Sequence, residues 1–248
     1  MRSVKDIVLK VIPHKIANDF IKKYHYSGRV VNNSVLHFGC FLDNCLHGVM
    51  SYGSPMDKRK VLPLVVTKDG SSVLWNEMIE LNRMAFDECL PRNSESRCIA
   101  VSIRLIKKNA PHIRWILSYS DGTQCGDGTI YRASGFSLTG IKENKQILVF
   151  PDGEIYSQLS ISNNNGSENS GNAIRNMLCK KYGIPYYSAS TVAPFLKIGA
   201  QYMRGYQLRY IYVIDRNCKI AVPVIPFSEI DKIGAGMYKG ESIHKKGR

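Results

Sequence analysis

The sequence predicts an α+β fold: a central mixed, mostly antiparallel sheet flanked by helices, followed by a C-terminal extension. Two observations carry this expectation. Through residue 150 the segments run strand, helix, hairpin, strand, helix, strand, helix, strand. Residues 35–52 then form a hairpin about Asp43-Asn44, which requires antiparallel pairing. With 248 residues, 44% of them hydrophobic, the chain is long enough to bury a sizeable core.

Each element has a local reason. Residues 7–12 (IVLKVI) read as a strand. Pro13 then opens a helix, because its fixed φ suits a first turn. Ile16, Phe20 and Tyr24 recur every four residues and are expected to form its buried face. Gly28 can end that unit in a left-handed cap. Residues 35–42 and 45–52 are the hairpin strands, and a loop carrying Lys58, Arg59 and Lys60 follows. Residues 77–86 form a further strand. Its apolar Met78, Leu81 and Met84 do not alternate, so a bulge is expected. Asn93 or Ser94 caps the next helix, with Ile99, Ile103 and Ile106 facing inward and Arg97, Arg104 and Lys108 on another face. Residues 114–120 are a buried strand, 128–134 a short helix, and 136–149 one or two closing strands. Beyond Pro151 come a polar stretch near residues 162–172, a helix at 173–182 and a last strand at 207–215. The expected division is a core of residues 1–150 and an extension of 151–248 packed on it as one domain.

Net charge +14 implies a polyanionic partner, nucleic acid first, because each neutralised phosphate releases counterions. The seven cysteines are odd in number and form no CxxC pair, which argues against a disulfide framework or a structural zinc site; reduced, mostly buried thiols are expected. No apolar run is long enough to span a bilayer, and residues 1–10 lack a signal-peptide core. The expected location is the cytoplasm, with no membrane partner.

Several side chains can carry chemistry. Asp121 follows a buried strand, where a carboxylate can orient a base or accept a proton; the plainer reading is a turn aspartate. Tyr131 can protonate a leaving group or simply pack. His25 and Tyr26, in HYSG, can act at a site or cap the helix, and with Asp121 they offer N and O ligands to a transition metal. Asn93, Ser94, Ser96 and Arg97 sit where helix amides attract anions, or they form an ordinary capping turn. Arg83 can hold a phosphate, and Asn82 can bond an adenine edge. A rim ion pair between Arg83 and Glu80 is the plainer alternative. The basic groups at Lys58, Arg59, Lys60, Arg104 and Lys108 are candidate DNA contacts.

The segment IYRASGF, with Tyr131 and Gly135-Phe136, resembles the GNAT acyltransferase superfamily. A wider set comprises HYSG (25–28), FGCF (38–41), SYGSP (51–55), ELNRM (80–84), PRNSESRCIAVSIRLIKK (91–108), WILSYSDGTQCGDGTIYRASGF (115–136) and LRYIYVID (208–215). This set resembles the Mom family of phages related to Mu, over most of the chain and least at residues 150–200. The resemblance implies transfer of a carbamoylmethyl group to N6 of adenine in double-stranded DNA, in a host bacterial cytoplasm, blocking restriction enzymes that read that edge. It implies catalytic roles for His25, Tyr26, Asp121 and Tyr131, and it raises a requirement for iron. It also implies an acetyl-CoA donor at residues 93–97. PRNSESR lacks the glycines of the usual coenzyme A turn, so an aminoacyl (glycyl) carrier such as a charged tRNA is the alternative. The target base must be flipped or transiently opened, with Tyr26, Tyr52 or Trp115 available to stack on it. Two other readings stand beside this one: an ordinary N-acyltransferase for a small amine or protein, and a non-catalytic DNA-binding protein.

Overall fold

The computed structural model describes residues 3–123, 126–162, 171–187, 191–238 and 241–242. Seven strands build the main sheet: β1 (Val8–Val11), β2 (Ser34–Leu42), β3 (Cys45–Gly53), β4 (Met78–Phe86), β5 (Trp115–Asp121), β6 (Ser137–Glu143) and β7 (Tyr206–Val213). Their order is β1-β2-β3-β4-β5-β7-β6. Every neighbouring pair is antiparallel except β4 and β5, which run parallel. The expected mixed, mostly antiparallel sheet with flanking helices is the fold observed.

Asp43 and Asn44 both take positive φ, 52° and 62°, as a tight two-residue hairpin turn requires. Alternation along the strands then sends side chains to opposite faces. Helix α1 (His14–Tyr24) packs Ala17, Phe20 and Ile21 against Val49 and Ala85 on one face. Helix α2 (Ser94–Asn109) packs Ile99, Ile103 and Ile106 on the other, in one cluster with Met50, Tyr52 and Ile116. Of the expected α1 stripe, Phe20 is buried, but Ile16 and Tyr24 are not. Ile16 is 47% and Tyr24 38% exposed, while Ala17 and Ile21 are buried.

The expected bulge falls at Asn82. Pairing passes from Ser51 opposite Arg83 to Tyr52 opposite Leu81, which leaves Asn82 as the extra residue.

The last strand is not an appendage. β7 lies inside the main sheet, between β5 and β6, so residues 151–248 do not form a unit apart from the core. Between β6 and β7 the chain builds a satellite. A three-stranded sheet of Ile147–Val149, Ile155–Ser157 and Gln201–Tyr202 joins the helices Gln158–Ser162, Gly171–Lys181 and Ala193–Lys197 around Leu148, Phe150, Leu178 and Phe195. Arg175 is fully buried there. It donates to the Ile161 carbonyl from Nε and Nη2, at 3.0 and 2.8 Å, and from Nη1 to the Tyr187 carbonyl at 3.3 Å. A buried guanidinium with these acceptors ties the satellite's loop to its helices. Most of the polar stretch near 162–172 lies outside the described residues.

Candidate active site

The parallel pair β4–β5 forks. Its register runs from Met78 opposite Trp115 to Leu81 opposite Ser118 and then stops, though both strands continue. Ser118 Oγ donates to the Leu81 carbonyl at 2.9 Å where the pairing ends. Beyond it, Asn82, Arg83 and Met84 form one wall of a cleft, and Tyr119, Ser120 and Asp121 the other. His25 and Tyr26, from the loop after α1, and Tyr131, from helix α3 (Thr129–Ala133), complete a cavity of ≈ 240 Å³. The four residues expected to react therefore line one space.

The loop after α1 follows from its cap. His25 N–H bonds the Ile21 carbonyl, and Gly28 takes φ +59°. The Ser27 backbone N–H, which can only donate, meets His25 Nδ1 at 3.1 Å, with Ser27 Oγ 2.8 Å away. Nδ1 is thus the acceptor, and a neutral ring carries its proton on Nε2. Burial, reinforced by the Arg83 charge, lowers the imidazole from 6.5 to about 4, so the ring is neutral near pH 7. His25 and Tyr26 rings lie 4.3 Å apart, tilted 31°.

Asp121 ends β5. Its Oδ1 accepts from Thr123 N–H at 3.0 Å and Asn144 Nδ2 at 3.2 Å, and its Oδ2 from Tyr26 Oη at 3.4 Å. These three donors fix the orientation of the carboxylate. Asn144 also donates to Thr123 Oγ1 at 3.0 Å. Asn144 had no local signal in the sequence, since it reaches Asp121 only through the fold of β6 and β7.

Tyr131 is 6% exposed and stacks on Tyr210 at 5.0 Å. The entry to α3 is close-fitted. Gly128 has φ +71°, and a Cβ there would lie 2.7 Å from the Tyr210 ring. Tyr210 Oη donates to the Asp127 carbonyl just before it.

Arg83 joins the cleft wall and donates to the Arg29 carbonyl from Nε at 3.1 Å and to the Asn82 carbonyl from Nη1 at 2.9 Å. Asn82 accepts from Ser34 Oγ at 2.9 Å, and its amide nitrogen meets no partner among the described residues. Residues 93–97 sit at the start of α2, not in the cleft lining. Asn93 takes φ +70°, Ser94 Oγ donates to the Pro91 carbonyl, and Ser96 Oγ to the Asn93 carbonyl at 3.2 Å. Arg97 Nε is buried and meets no acceptor among the described residues. Ser134 Oγ donates to the Ser96 carbonyl at 3.4 Å, which sets this turn against the helix that bears Tyr131.

The basic groups divide. Val61, beside Lys58, Arg59 and Lys60, packs with Trp115 and Leu117, whereas α2, with Arg104 and Lys108, packs with Ile116 on the opposite face. The structure does not gather them on one surface. Tyr52 and Trp115 are fully buried and cannot stack on a base; Tyr26, 50% exposed, can. As an iron site the cleft is poorly prepared. His25 Nδ1 and Asp121 Oδ1 already accept from the protein, and the approach shown is Tyr26 to Asp121.

A second cavity of ≈ 330 Å³ adjoins the first at Tyr26. Ser27 and Arg29 line it on the core side, and Ile147, Ile155 and Tyr156 line it from the satellite.

Residues 6–229 match the model of the Mom protein family. The chain is 33% identical over 159 residues to "Methylcarbamoylase mom" of Escherichia phage Mu, covering 64% of this chain and 63% of that protein. The match thus spans less than two thirds of that relative. Among solved structures, a Bacillus subtilis acetyltransferase in complex with CoA matches 84% of this chain and 98% of its own, at 10% identity and TM-score 0.43. A putative phosphinothricin N-acetyltransferase matches 85% and 99%, at 11% identity and TM-score 0.44.

Proposed function

Because this chain belongs to the Mom protein family, we propose that it is a DNA-modifying transferase that places a carbamoylmethyl group on N6 of adenine. The observation that carries the reading is the forked β4–β5 cleft, which holds a carboxylate, a neutral imidazole and two phenols in one space. Net charge +14 supports a polyanionic acceptor.

Adenine N6 is a weak nucleophile, because its lone pair is delocalised into the ring. Asp121, aimed by three donors, accepts the N6 proton as the new bond forms. Tyr131, whose helix abuts the first turn of α2, donates a proton to the departing group. His25 offers a hydrogen bond from Nε2–H rather than a positive charge. The product bond is N–CH2, so the donor carries its carboxamide ready-made and bears the carrier on the methylene carbon: the N6–CH2 bond forms as the methylene–carrier bond breaks, the carrier takes the Tyr131 proton, and Asp121 takes the N6 proton.

The donor is a phosphate-bearing carrier of the coenzyme A class. The start of α2 supports this: helix amides attract anions, and the guanidinium of Arg97 keeps an unused buried nitrogen for a phosphate oxygen. The acceptor base, flipped at a cost of a few kcal/mol, enters beside Tyr26, where the second cavity adjoins the first. Arg29 lines that cavity, which supports a contact with the backbone phosphate of the flipped nucleotide.

Mass spectrometry of nucleosides from DNA co-expressed with the chain tests this function. The proposal expects an adenosine heavier by one carbamoylmethyl group. Unmodified adenine together with acylation of a small amine would replace it with the N-acyltransferase reading.

A further inference from the structure

Away from the cleft, β3 and β4 bring three ligand-type side chains together. Pairing of β2 with β3 passes from Cys40 opposite Gly48 to Phe41 opposite Leu46, so His47 is the bulged residue. A bulge re-aims its side chain. Here the ring turns to Asp87, with Nδ1 2.9 Å from Oδ2. Backbone bonds hold the arrangement: Asp87 N–H donates to the His47 carbonyl at 3.0 Å, and Cys89 N–H to Asp87 Oδ1 at 2.9 Å. The turn so formed leaves one ligand atom from each of His47, Asp87 and Cys89 within 4.8 Å of one another.

We propose that His47, Asp87 and Cys89 bind one zinc-class divalent transition ion, with a fourth position open to water. The donor set is one imidazole nitrogen, one carboxylate oxygen and one thiolate, which suits zinc and excludes the all-oxygen preference of calcium or magnesium. At metal–ligand distances of about 2.0–2.3 Å, tetrahedral ligands lie roughly 3.3–3.6 Å apart. With the atoms within 4.8 Å of one another, the widest separation closes by up to about 1.5 Å, while His47 Nδ1 and Asp87 Oδ2, now 2.9 Å apart, open by about 0.5 Å; the exposed Cys89 turn can supply the larger movement. The ion has an entry path, since the side chains of His47 and Asp87 are 18% and 13% exposed. A thiol binds a metal as thiolate, so binding releases a proton and affinity rises with pH. Asp87 also acts electrostatically on Lys23, in the last turn of α1. The ion would staple β3 to the end of β4 close to the helix that delivers His25 and Tyr26.

Titrating the purified full-length protein with Co²⁺, followed by competition with Zn²⁺, tests the site. One equivalent should bind with a thiolate-to-cobalt charge-transfer band, and Zn²⁺ should abolish that band. Cys89→Ser should lose the band and His47→Ala should weaken binding at least tenfold, while Cys45→Ser, at another exposed cysteine, should bind as the parent does. Cys89 is exposed, so circular dichroism of Cys89→Ser should match the parent. No thiolate band, or a band unchanged in Cys89→Ser, overturns the proposal and leaves His47–Asp87 as an ion pair alone.

Discussion

At His25 the fold has fixed a tautomer. The Ser27 backbone N–H occupies Nδ1, and burial with the Arg83 charge lowers the ring to about 4. A depressed histidine costs nothing while neutral. Its contribution to stability is present above its ordinary value of 6.5 and is lost as pH falls through about 4. Proton NMR of the His25 ring should show a midpoint near 4; a midpoint at 6.5 would contradict the buried, neutral assignment. Glu80 behaves in the opposite sense. Burial raises its carboxyl from 4.5 to about 7, against the pull of Arg83. The folded state keeps a proton that the unfolded chain releases, so this stability is full at acid pH and falls as pH rises through about 7. Glu80→Gln should therefore melt above the parent in alkaline buffer, while the two should converge in acid. A parent that melts as high as the variant in alkaline buffer would contradict the raised value. Neither shift was legible in the sequence, because both arise from burial at a fork made by distant strands.

Among elements, α1 shows what periodicity can and cannot give. The four-residue repeat of Ile16, Phe20 and Tyr24 fits a helical face, but so do Ala17, Phe20 and Ile21. The structure uses the second, because α1 lies against Val49 and Ala85, where a small Ala17 allows close approach. Ile21→Ala should cost about 2–5 kcal/mol, as a buried large-to-small change does. Ile16→Ala should stay within about 0.5 kcal/mol, as an exposed change does. Denaturant unfolding measures both, and equal losses would contradict the assignment. The β4 bulge was legible because Met78, Leu81 and Met84 break alternation. Its consequence, that Asn82 turns to the cleft wall while β4 and β5 part, depends on the partner's register and was not legible.

For the whole molecule, the sheet order sets what can be removed. β7, from residues 206–213, lies between β5 and β6. A fragment of residues 1–150 lacks it, and β6 would lose its neighbour. That fragment should show no cooperative thermal transition; a cooperative melt would contradict a core that is completed only by the C-terminal residues. The element order and hairpin made the fold class legible. The place of the last strand was not, since nothing local in QLRYIYVID says which strands it joins. The four candidate residues could be named from motif resemblance, but only the forked pair explains why they line one cleft.

The central claim is that this cleft carries out the modification, with Asp121 and Tyr131 acting on the proton transfers. It is tested most directly by nucleoside mass spectrometry of DNA co-expressed with Asp121→Asn or Tyr131→Phe, beside the parent. Both variants should fold and bind DNA, and the modified adenosine should fall by about 10²-fold or more. Parent levels of modified adenosine from both folded variants would contradict the account.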